Sequence, residues 1–472
     1  MIDKKTKIVA TIGPATESKE MLTKAIEAGV NMVRLNFSHG SFEEHLPKLK
    51  IAREISKKTG RAIAVMQDLC GPKIRIGEFE NGPIELKEGK FFTLTTRDII
   101  GNEEEVSINY KGLPKSVKKG GIIMLHDGNK KLQVVSVDKT EVKCKVLAGG
   151  KLGGKKGVNL PGADLDISSL TEKDKADLEF GLKHDVDYVA LSFVRKAKDV
   201  LELKDIIKKR GGDIKVVVKV ETTQAIENLD EIIAASDAIM IARGDLGVEI
   251  PVEDVPVIQK EMIEKCRRLG KPVITATHVL ESMIKNPRPT RAEASDIANA
   301  VWDGTDAIML SEETTLGEFP IQAIETMATV ARNAEDYPHY NEAFDAIDFE
   351  DETPIVDAVS ACVCHTADLV GAKLIVAFTM SGYTARIISR WRPEQQILGL
   401  TPNKKTFNQL ALVYGVVPTI TAKIKTEEQM VEMAKKAAIQ SGLVKKGDRI
   451  VISAGVPFKK SGTTNLMLVQ EI

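Results

Sequence analysis

The sequence has almost no net charge, no apolar run long enough to cross a bilayer, and too few cysteines for a disulfide framework. Lys and Arg number 66 against 67 Asp and Glu, a formal net charge of −1. That balance offers no basic field for nucleic acid and no cationic face for an anionic membrane. No stretch approaches the roughly 20 apolar residues of a membrane-crossing helix. Met1 to Gly13 turns directly into strand-like sequence, so no secretory leader is expected. The five cysteines, Cys70, Cys144, Cys266, Cys362 and Cys364, are odd in number and scattered. Reduced thiols in a cytoplasmic protein are the expectation. Cys362-Val-Cys364-His365 has metal-like spacing, but it lacks a partner pair and lies in an apolar helical stretch, so core packing is expected.

What is present is a long alternation of strand and helix patterns. The 472 residues suffice for roughly two to four domains. Strands are expected at Lys7 to Gly13, Met32 to Phe37 and Ile63 to Leu69, with helices at Ser18 to Glu27 (Ser18 as N-cap) and around Glu43 to Lys57. From about Gly71 to Asp164 the alternation stops. Short runs at Phe91 to Thr95, Glu105 to Tyr110, Gly121 to Leu125, Lys131 to Val137 and Val142 to Leu147 suggest a small antiparallel β domain, with no amphipathic helix visible. Alternation resumes with strands at Tyr188 to Phe193, Lys215 to Val220, Ala238 to Ala242, Pro272 to Thr277 and Ala307 to Ser311. Thr290-x-x-Glu293 is a capping box for the helix after the seventh strand. The units add to eight, the number that closes a (β/α)₈ barrel. The fold class expected is α/β: a TIM barrel (1–70 and 165–340), an inserted small β-barrel domain (71–164), and a C-terminal α/β domain (353–472). The last would carry strands at Leu374 to Thr379, Ile397 to Leu400, Val416 to Ile420, Arg449 to Ala454 and Asn465 to Glu471. The linker, roughly 335–352, is acidic and aromatic without a clear period.

Polar residues gather at the C-terminal ends of the barrel strands, where barrel enzymes place their chemistry. Strand two ends in Arg34, Asn36 and Ser38, at a spacing that shares one face. Strand three ends in Asp68, strand four in Ser192, strand five in Lys219 and Glu221, strand six in Arg243 and Asp245, and strand seven in Thr275 and Thr277. Two salt bridges capping strands five and six would be the bland explanation of Lys219 to Asp245. Charge concentrated on one rim favours a functional one, because unpaired ions beside a core cost several kcal/mol. Glu221 and Asp245, without Cys or His beside them, suit a hard divalent ion such as Mg²⁺ or Mn²⁺. Arg34 and Lys219 add the fixed positive charge that a transferring phosphoryl group requires. The turn Gly244-Asp245-Leu-Gly247 opens a short helix whose free amides could bind a substrate carboxylate. Phosphoryl transfer on a small anion fits these residues, and so does metal-assisted aldol cleavage or enolisation.

Several longer stretches then resemble one family, pyruvate kinase, in its order and across the whole chain. They are Thr6-Lys-Ile-Val-Ala-Thr-Ile-Gly-Pro14, Arg34-Leu-Asn-Phe-Ser-His-Gly40, Gly71-Pro-Lys-Ile-Arg75, Lys155-Lys-Gly-Val-Asn-Leu-Pro161, Ala242-Arg-Gly-Asp-Leu-Gly-Val-Glu-Ile-Pro251, Lys271-Pro-Val-Ile-Thr-Ala-Thr277 and Asn286-Pro-Arg-Pro-Thr-Arg-Ala-Glu-Ala-Ser295. The resemblance implies a catalytic barrel, an inserted lid and a C-terminal regulatory domain. It implies phosphoryl transfer from phosphoenolpyruvate to ADP in the last step of glycolysis, by a cytoplasmic homotetramer without nucleic-acid or membrane partners. In its terms Glu221 and Asp245 hold the divalent ion, and Lys219 stabilises the phosphoryl group. Arg34 binds the phosphate. The amides of Gly244 and Asp245, with the Thr277 hydroxyl, bind the carboxylate. Thr277 also lies where the enolate is protonated. His39, Arg75 and Lys156 would contact the nucleotide. Asn36, Ser38, Asp68 and Leu69 would line a K⁺ site.

Departures from the family pattern matter too. Many members carry Thr and Glu where this chain has Leu69 and Lys73. The Lys variant goes with K⁺-independence, its ammonium standing in for the ion, so K⁺ is expected to be dispensable. Thr277-His278-Val279 replaces the usual Thr-Gln-Met, and Ser311-Glu312-Glu313-Thr314 the usual Ser-Gly-Glu-Thr; His278 and Glu312 are expected to pair. His126 replaces an Asp, with Asp127 kept. In the C-terminal domain, the turn Thr379-Met-Ser381-Gly382-Tyr-Thr384 suits a phosphate at a helix start, and Lys459, Lys460 and Ser461 lie in a second glycine-rich segment. An allosteric phosphometabolite site is preferred there over a plain helix cap. A barrel aldolase and a non-catalytic metabolite sensor are the competing functions; the inserted domain and the intact Lys219, Glu221 and Asp245 weigh against them.

Overall fold

The computed structural model describes residues 4–163, 165–337, 353–457 and 462–472. The eight expected strands close into one parallel barrel: Lys7–Thr11, Met32–Asn36, Ala64–Asp68, Tyr188–Leu191, Lys215–Val220, Ala238–Ala242, Val273–Ala276 and Ala307–Leu310. They are numbered one to eight below. Each pairs with its sequence neighbours, and strand eight returns to strand one through Lys7↔Ala307 and Ile8↔Ile308. The strands read as continuous apolar runs because both faces are covered. Their inward side chains, among them Val9, Met66, Val217, Met240 and Ile274, fill the barrel, while Ile8, Val65, Val218 and Ile241 pack outward under the helices.

Local signals set the helix starts. Ser18 accepts from the amide of Met21 ahead of helix Lys19–Ala28, and Thr290 and Glu293 form the expected box at Arg291–Asp303. Gly304 ends that helix at φ 95°, a conformation glycine adopts without cost.

The insertion pairs into a six-stranded sheet with a two-stranded ribbon beside it. The sheet order is Val158–Asn159, Ile122–Leu125, Lys130–Val137, Glu141–Ala148, Phe91–Thr95, Glu105–Ser107. The expectation of an antiparallel domain is corrected at one edge. Phe91–Thr95 and Glu105–Ser107 run parallel, because the connection 96–104 carries the chain back to the starting end instead of turning it tightly. Strands Ile84–Leu86, Gly150–Leu152 and Val158–Asn159 are too short to show a period, and one helical turn, Leu113–Ser116, stands where none was expected.

The C-terminal domain is a five-stranded sheet ordered Val416–Ile420, Gln396–Thr401, Leu374–Phe378, Arg449–Ala454, Leu466–Glu471, parallel except for the last strand. It stops the floor of the barrel: Ala411 and Leu412 complete the interior cluster, and Tyr188 Oη donates to the Gln409 carbonyl at 2.7 Å. Arg392, buried, meets Asp306 at 3.1 Å and stacks 4.3 Å from the Tyr414 ring across the same junction. The helix Ile355–Leu369 buries Cys364 and exposes Cys362, so only one of the two thiols packs in the core.

Candidate active site

The C-terminal rim brings four of the sequence-predicted groups into one charged cluster. Strand five leaves Lys219 and Glu221 on the same face. Lys219 Nζ lies 2.6 Å from Glu221 Oε1, 3.8 Å from Asp68 Oδ1, and donates to Ser192 Oγ at 2.9 Å. Arg34, whose neighbour across strand one is Thr11, donates from Nε to Asp68 Oδ2 at 2.6 Å and from its terminal nitrogen to Thr11 Oγ1 at 2.9 Å. Asn36 sits opposite Asp68 in register and accepts from the Ser38 amide at 3.1 Å.

Burial and charge compete at each group. Burial alone would raise the Asp68 carboxyl, but Lys219 and Arg34 hold it below the usual carboxylate range. Burial alone would lower the Lys219 ammonium, but Asp68, Glu221 and Asp245 together push it above an ordinary lysine. Glu221 goes the other way. Burial raises its carboxyl, Lys219 opposes the rise, and Asp245 adds to it.

The fit to a divalent cation rests on unmet oxygens. Glu221 Oε2 accepts the Phe193 amide at 2.8 Å, but buried Oε1 has no aligned hydrogen bond, and neither has buried Asp68 Oδ1. The Asp245 carboxylate has no hydrogen bond or ion pair among the described residues and faces a cleft. Among the described residues no three His, Cys, Asp or Glu side chains converge as a closed metal site. An open two-carboxylate site, completed by substrate and water oxygens, is therefore what Glu221 and Asp245 could provide.

Two strand-end groups are already engaged. Arg243 turns away from the carboxylates: it grips Asp296 with both terminal nitrogens, at 2.7 and 2.8 Å, and donates to the carbonyls of Ala276 and Thr277 at 3.2 and 2.9 Å. It is a clamp on the end of strand seven. The amide of Gly244 is not free either; it donates to Thr277 Oγ1 at 2.6 Å. Thr277 is held at φ 71°, a left-handed value that a β-branched residue rarely adopts, and His278 follows at φ 54°. Thr275 lies deeper and bonds Thr305 Oγ1 at 3.1 Å.

A cleft of about 250 Å³ runs between the inserted domain and the barrel, lined by Lys73, Arg75, Lys156, Asp127, Asp245 and Glu249 among others. Arg75 also donates to the Lys155 carbonyl at 2.8 Å. His39 does not join this cleft; it is exposed on the turn after strand two, its carbonyl bonded by the His45 ring at 2.9 Å. Leu69 packs its side chain in the core and offers only its carbonyl, which accepts from Ser192 Oγ at 2.8 Å. His278 and Glu312 share a cavity of about 160 Å³ with Thr277, Glu281 and Ser311, yet no hydrogen bond or ion pair joins them. The expected pair is absent because both side chains reach solvent.

In the C-terminal domain Thr379, Ser381 and Thr384 line a cavity of about 540 Å³ with Tyr383, Lys423 and Lys425. Gly382 caps the helix Tyr383–Ser389 beside it, and Thr384 bonds Thr464 Oγ1 at 3.1 Å. Lys459, Lys460 and Ser461 lie outside the described residues.

Sequence reasoning missed Asp296, Thr11, Asn159 and Glu249. Asn159 Nδ2 reaches across the cleft to Glu249 Oε1 at 3.3 Å. The Lys155 to Pro161 and Ala242 to Pro251 motifs each contain one end of that contact, but neither singled it out.

Comparison with known proteins gives one consistent family. The family model described as pyruvate kinase, barrel domain, matches residues 3–324, and the one described as pyruvate kinase, alpha/beta domain, matches 357–470. A pyruvate kinase of Geobacillus stearothermophilus is 46% identical over 472 residues, covering 99% of this chain and 80% of its own length. One from Staphylococcus aureus (strain MRSA252) is 46% identical over 468 residues with the same coverage. The crystal structure of a pyruvate kinase from Cryptosporidium parvum superposes with a TM-score of 0.94 at 39% identity, covering 99% of this chain and 96% of that one.

Proposed function

The chain belongs to the pyruvate kinase family, and from that premise we propose that it transfers the phosphoryl group of phosphoenolpyruvate to ADP, giving pyruvate and ATP, at the rim built by Arg34, Lys219, Glu221, Asp245 and Thr277. The observation that carries the reading is the charge constellation around Lys219. Two cations and three carboxylates leave one net negative charge, so a bound divalent cation makes the site positive enough for a strongly anionic substrate. Glu221 and Asp245 would hold Mg²⁺ or Mn²⁺, which neutralises developing charge on the phosphoryl oxygens when bound. Lys219, kept protonated by its three carboxylates, offers a fixed positive charge to the group in transfer. Arg34, fixed at two points by Asp68 and Thr11, orients the phosphate. Thr277, Gly244 and the first-turn amide of Asp245 take the substrate carboxylate, which replaces the Thr277 contact on Gly244. Arg75 and Lys156 place the nucleotide phosphates in the cleft, and the inserted domain excludes the water that would otherwise accept the phosphoryl group.

Finer features follow the same premise. Activity is K⁺-independent, with Lys73 supplying the charge. The cavity around Thr379, Ser381 and Thr384 takes a phosphorylated metabolite that regulates the enzyme. The enzyme is a cytoplasmic homotetramer; exposed Val252 and Val257 supply apolar surface for association. One coupled assay, pyruvate formed from phosphoenolpyruvate with ADP and Mg²⁺, tests the central reading, and no pyruvate above a Lys219→Met control would reject it.

A further inference from the structure

We propose that His278 supplies the proton that turns the enolate of pyruvate into pyruvate, passing it through water in the cavity beside Thr277; the inference rests on the phosphoryl-transfer reading above. Transfer of the phosphoryl group leaves an enolate, and its C3 must gain a proton. The C2–C3 double-bond electrons form the new C–H bond, the enolate oxygen becomes a carbonyl, and His278 leaves the step neutral until solvent reprotonates it. The reaction thus consumes one proton per turnover, which some group on the rim must deliver.

The other rim groups are poor sources. Lys219 is surrounded by Asp68, Glu221 and Asp245, which hold its proton in place. Arg34 is a guanidinium tied to Asp68 and Thr11. The Thr277 hydroxyl has one proton, directed at the Ala276 carbonyl at 2.6 Å, while its oxygen accepts from Gly244. It can pass a proton on but cannot be its origin. Glu313 is buried and accepts the amides of Leu280 and Ser311, at 3.1 and 2.7 Å, so both its oxygens are already engaged by the backbone.

What remains on that side is a cavity of about 160 Å³ with Thr277 on its wall and His278, Glu281, Ser311 and Glu312 around it. Among the described residues no hydrogen bond engages the side chains of His278, Glu281 or Glu312, so water can fill the cavity and contact all three. Imidazole is the side chain that gives and takes protons near neutral pH, whereas exposed carboxylates are already ionised there. The backbone supports the assignment. Thr277 and His278 are consecutive left-handed residues, φ 71° and 54°, and strain of that kind persists where the surroundings enforce it. The double turn sends Thr277 toward Gly244 and leaves His278 on the cavity.

Deuterium uptake at C3 of pyruvate in D₂O, followed by proton NMR, reads this step without net turnover. The full chain is used with Mg²⁺, pyruvate and inorganic phosphate, beside the coupled assay. His278→Gly is the primary variant, since glycine occupies φ 54° freely and should not cost folding. Exchange at pH 7 is expected to fall at least about 10-fold, the low end of acid–base contributions, with KM for phosphoenolpyruvate unchanged. The neutral limb of the exchange pH profile should disappear, and free imidazole should restore it. His278→Asn, which also tolerates the left-handed region, should behave like glycine. Exchange and pH profile unchanged in His278→Gly, or a loss that imidazole does not repair, overturns the proposal. An unsubstituted enzyme that makes no pyruvate in the coupled assay overturns the parent reading instead, whatever the variants do.

Discussion

Lys219 Nζ stands 2.6 Å from Glu221 Oε1, two residues on and just past the end of the strand, and that contact is an ion pair without hydrogen-bond alignment. The ammonium spends its aligned hydrogen bond on Ser192 instead, at 2.9 Å. Glu221 Oε1 therefore keeps a lone pair available to a cation while Lys219 keeps its charge directed over the rim. Lys219→Met should lower kcat by about 10³-fold, the scale of one removed electrostatic donor, with Mg²⁺ affinity changed only a few-fold. Steady-state kinetics together with Mn²⁺ titration followed by electron paramagnetic resonance checks both halves; near-normal kcat would remove the role given to Lys219.

Lys73 lines the cleft, and its charge is one of those that hold the Asp68 carboxyl down. An ammonium near Asp68 would make a monovalent cation redundant. Activity in a tetramethylammonium buffer free of K⁺ should match that with K⁺. Lys73→Glu should lose at least about 10-fold without K⁺, about 1.4 kcal/mol of electrostatic support, and regain part of it when K⁺ is added. A collapse of the unsubstituted enzyme in the K⁺-free buffer sinks this idea.

The barrel was legible because parallel strands buried on both faces write themselves as apolar runs, and Lys215–Val220 and Ala238–Ala242 have the bounds expected, as do Val416–Ile420 and Arg449–Ala454 in the C-terminal sheet. The rim was legible because Lys219, Glu221 and Asp68 are charges at the ends of such runs. What pattern could not carry was direction. Arg243 and Asp245 stand two residues apart, yet one faces Asp296 on a later helix and the other the cleft. The short strands of the insertion escape any period. His278 and Glu312 stood out as departures, and their nearness was right in position but wrong as a bond.

Glu249 closes the cleft through Asn159, and burial pushes its carboxyl up to about 7 against that hydrogen bond, with Asp245 adding to the rise. A raised carboxyl favours the folded protein most while protonated. Its contribution is complete below the free value of 4.5 and is lost as pH rises through about 7. Glu249→Gln keeps an acceptor for Asn159 without the charge. In metal-free buffer its melting temperature should match the unsubstituted protein at about pH 4 and exceed it by about 2 °C at about pH 8. Parallel melting curves across that range would show that Glu249 is not the group responsible.

The clamp from Arg243 to Asp296 is the remaining lever on Thr277. With both terminal nitrogens on Asp296, the guanidinium also holds the carbonyls of Ala276 and Thr277, the bond on either side of the strained turn. Asp296→Ala leaves a guanidinium only 14% exposed without its carboxylate. That should cost about 2 kcal/mol of stability, below the range for fully buried pairs because Asp296 itself reaches solvent. The kinetic effect should be larger than that of a merely destabilised protein, since Thr277 would relax toward an ordinary backbone conformation and draw its hydroxyl off Gly244. kcat should fall about 10²-fold, the scale of a 1 Å misplacement, while Asp296→Asn, which retains one acceptor, should lose less. Urea denaturation and kcat measured on the same samples separate the two effects. Normal kcat in folded Asp296→Ala would mean that Thr277 holds its conformation without the clamp.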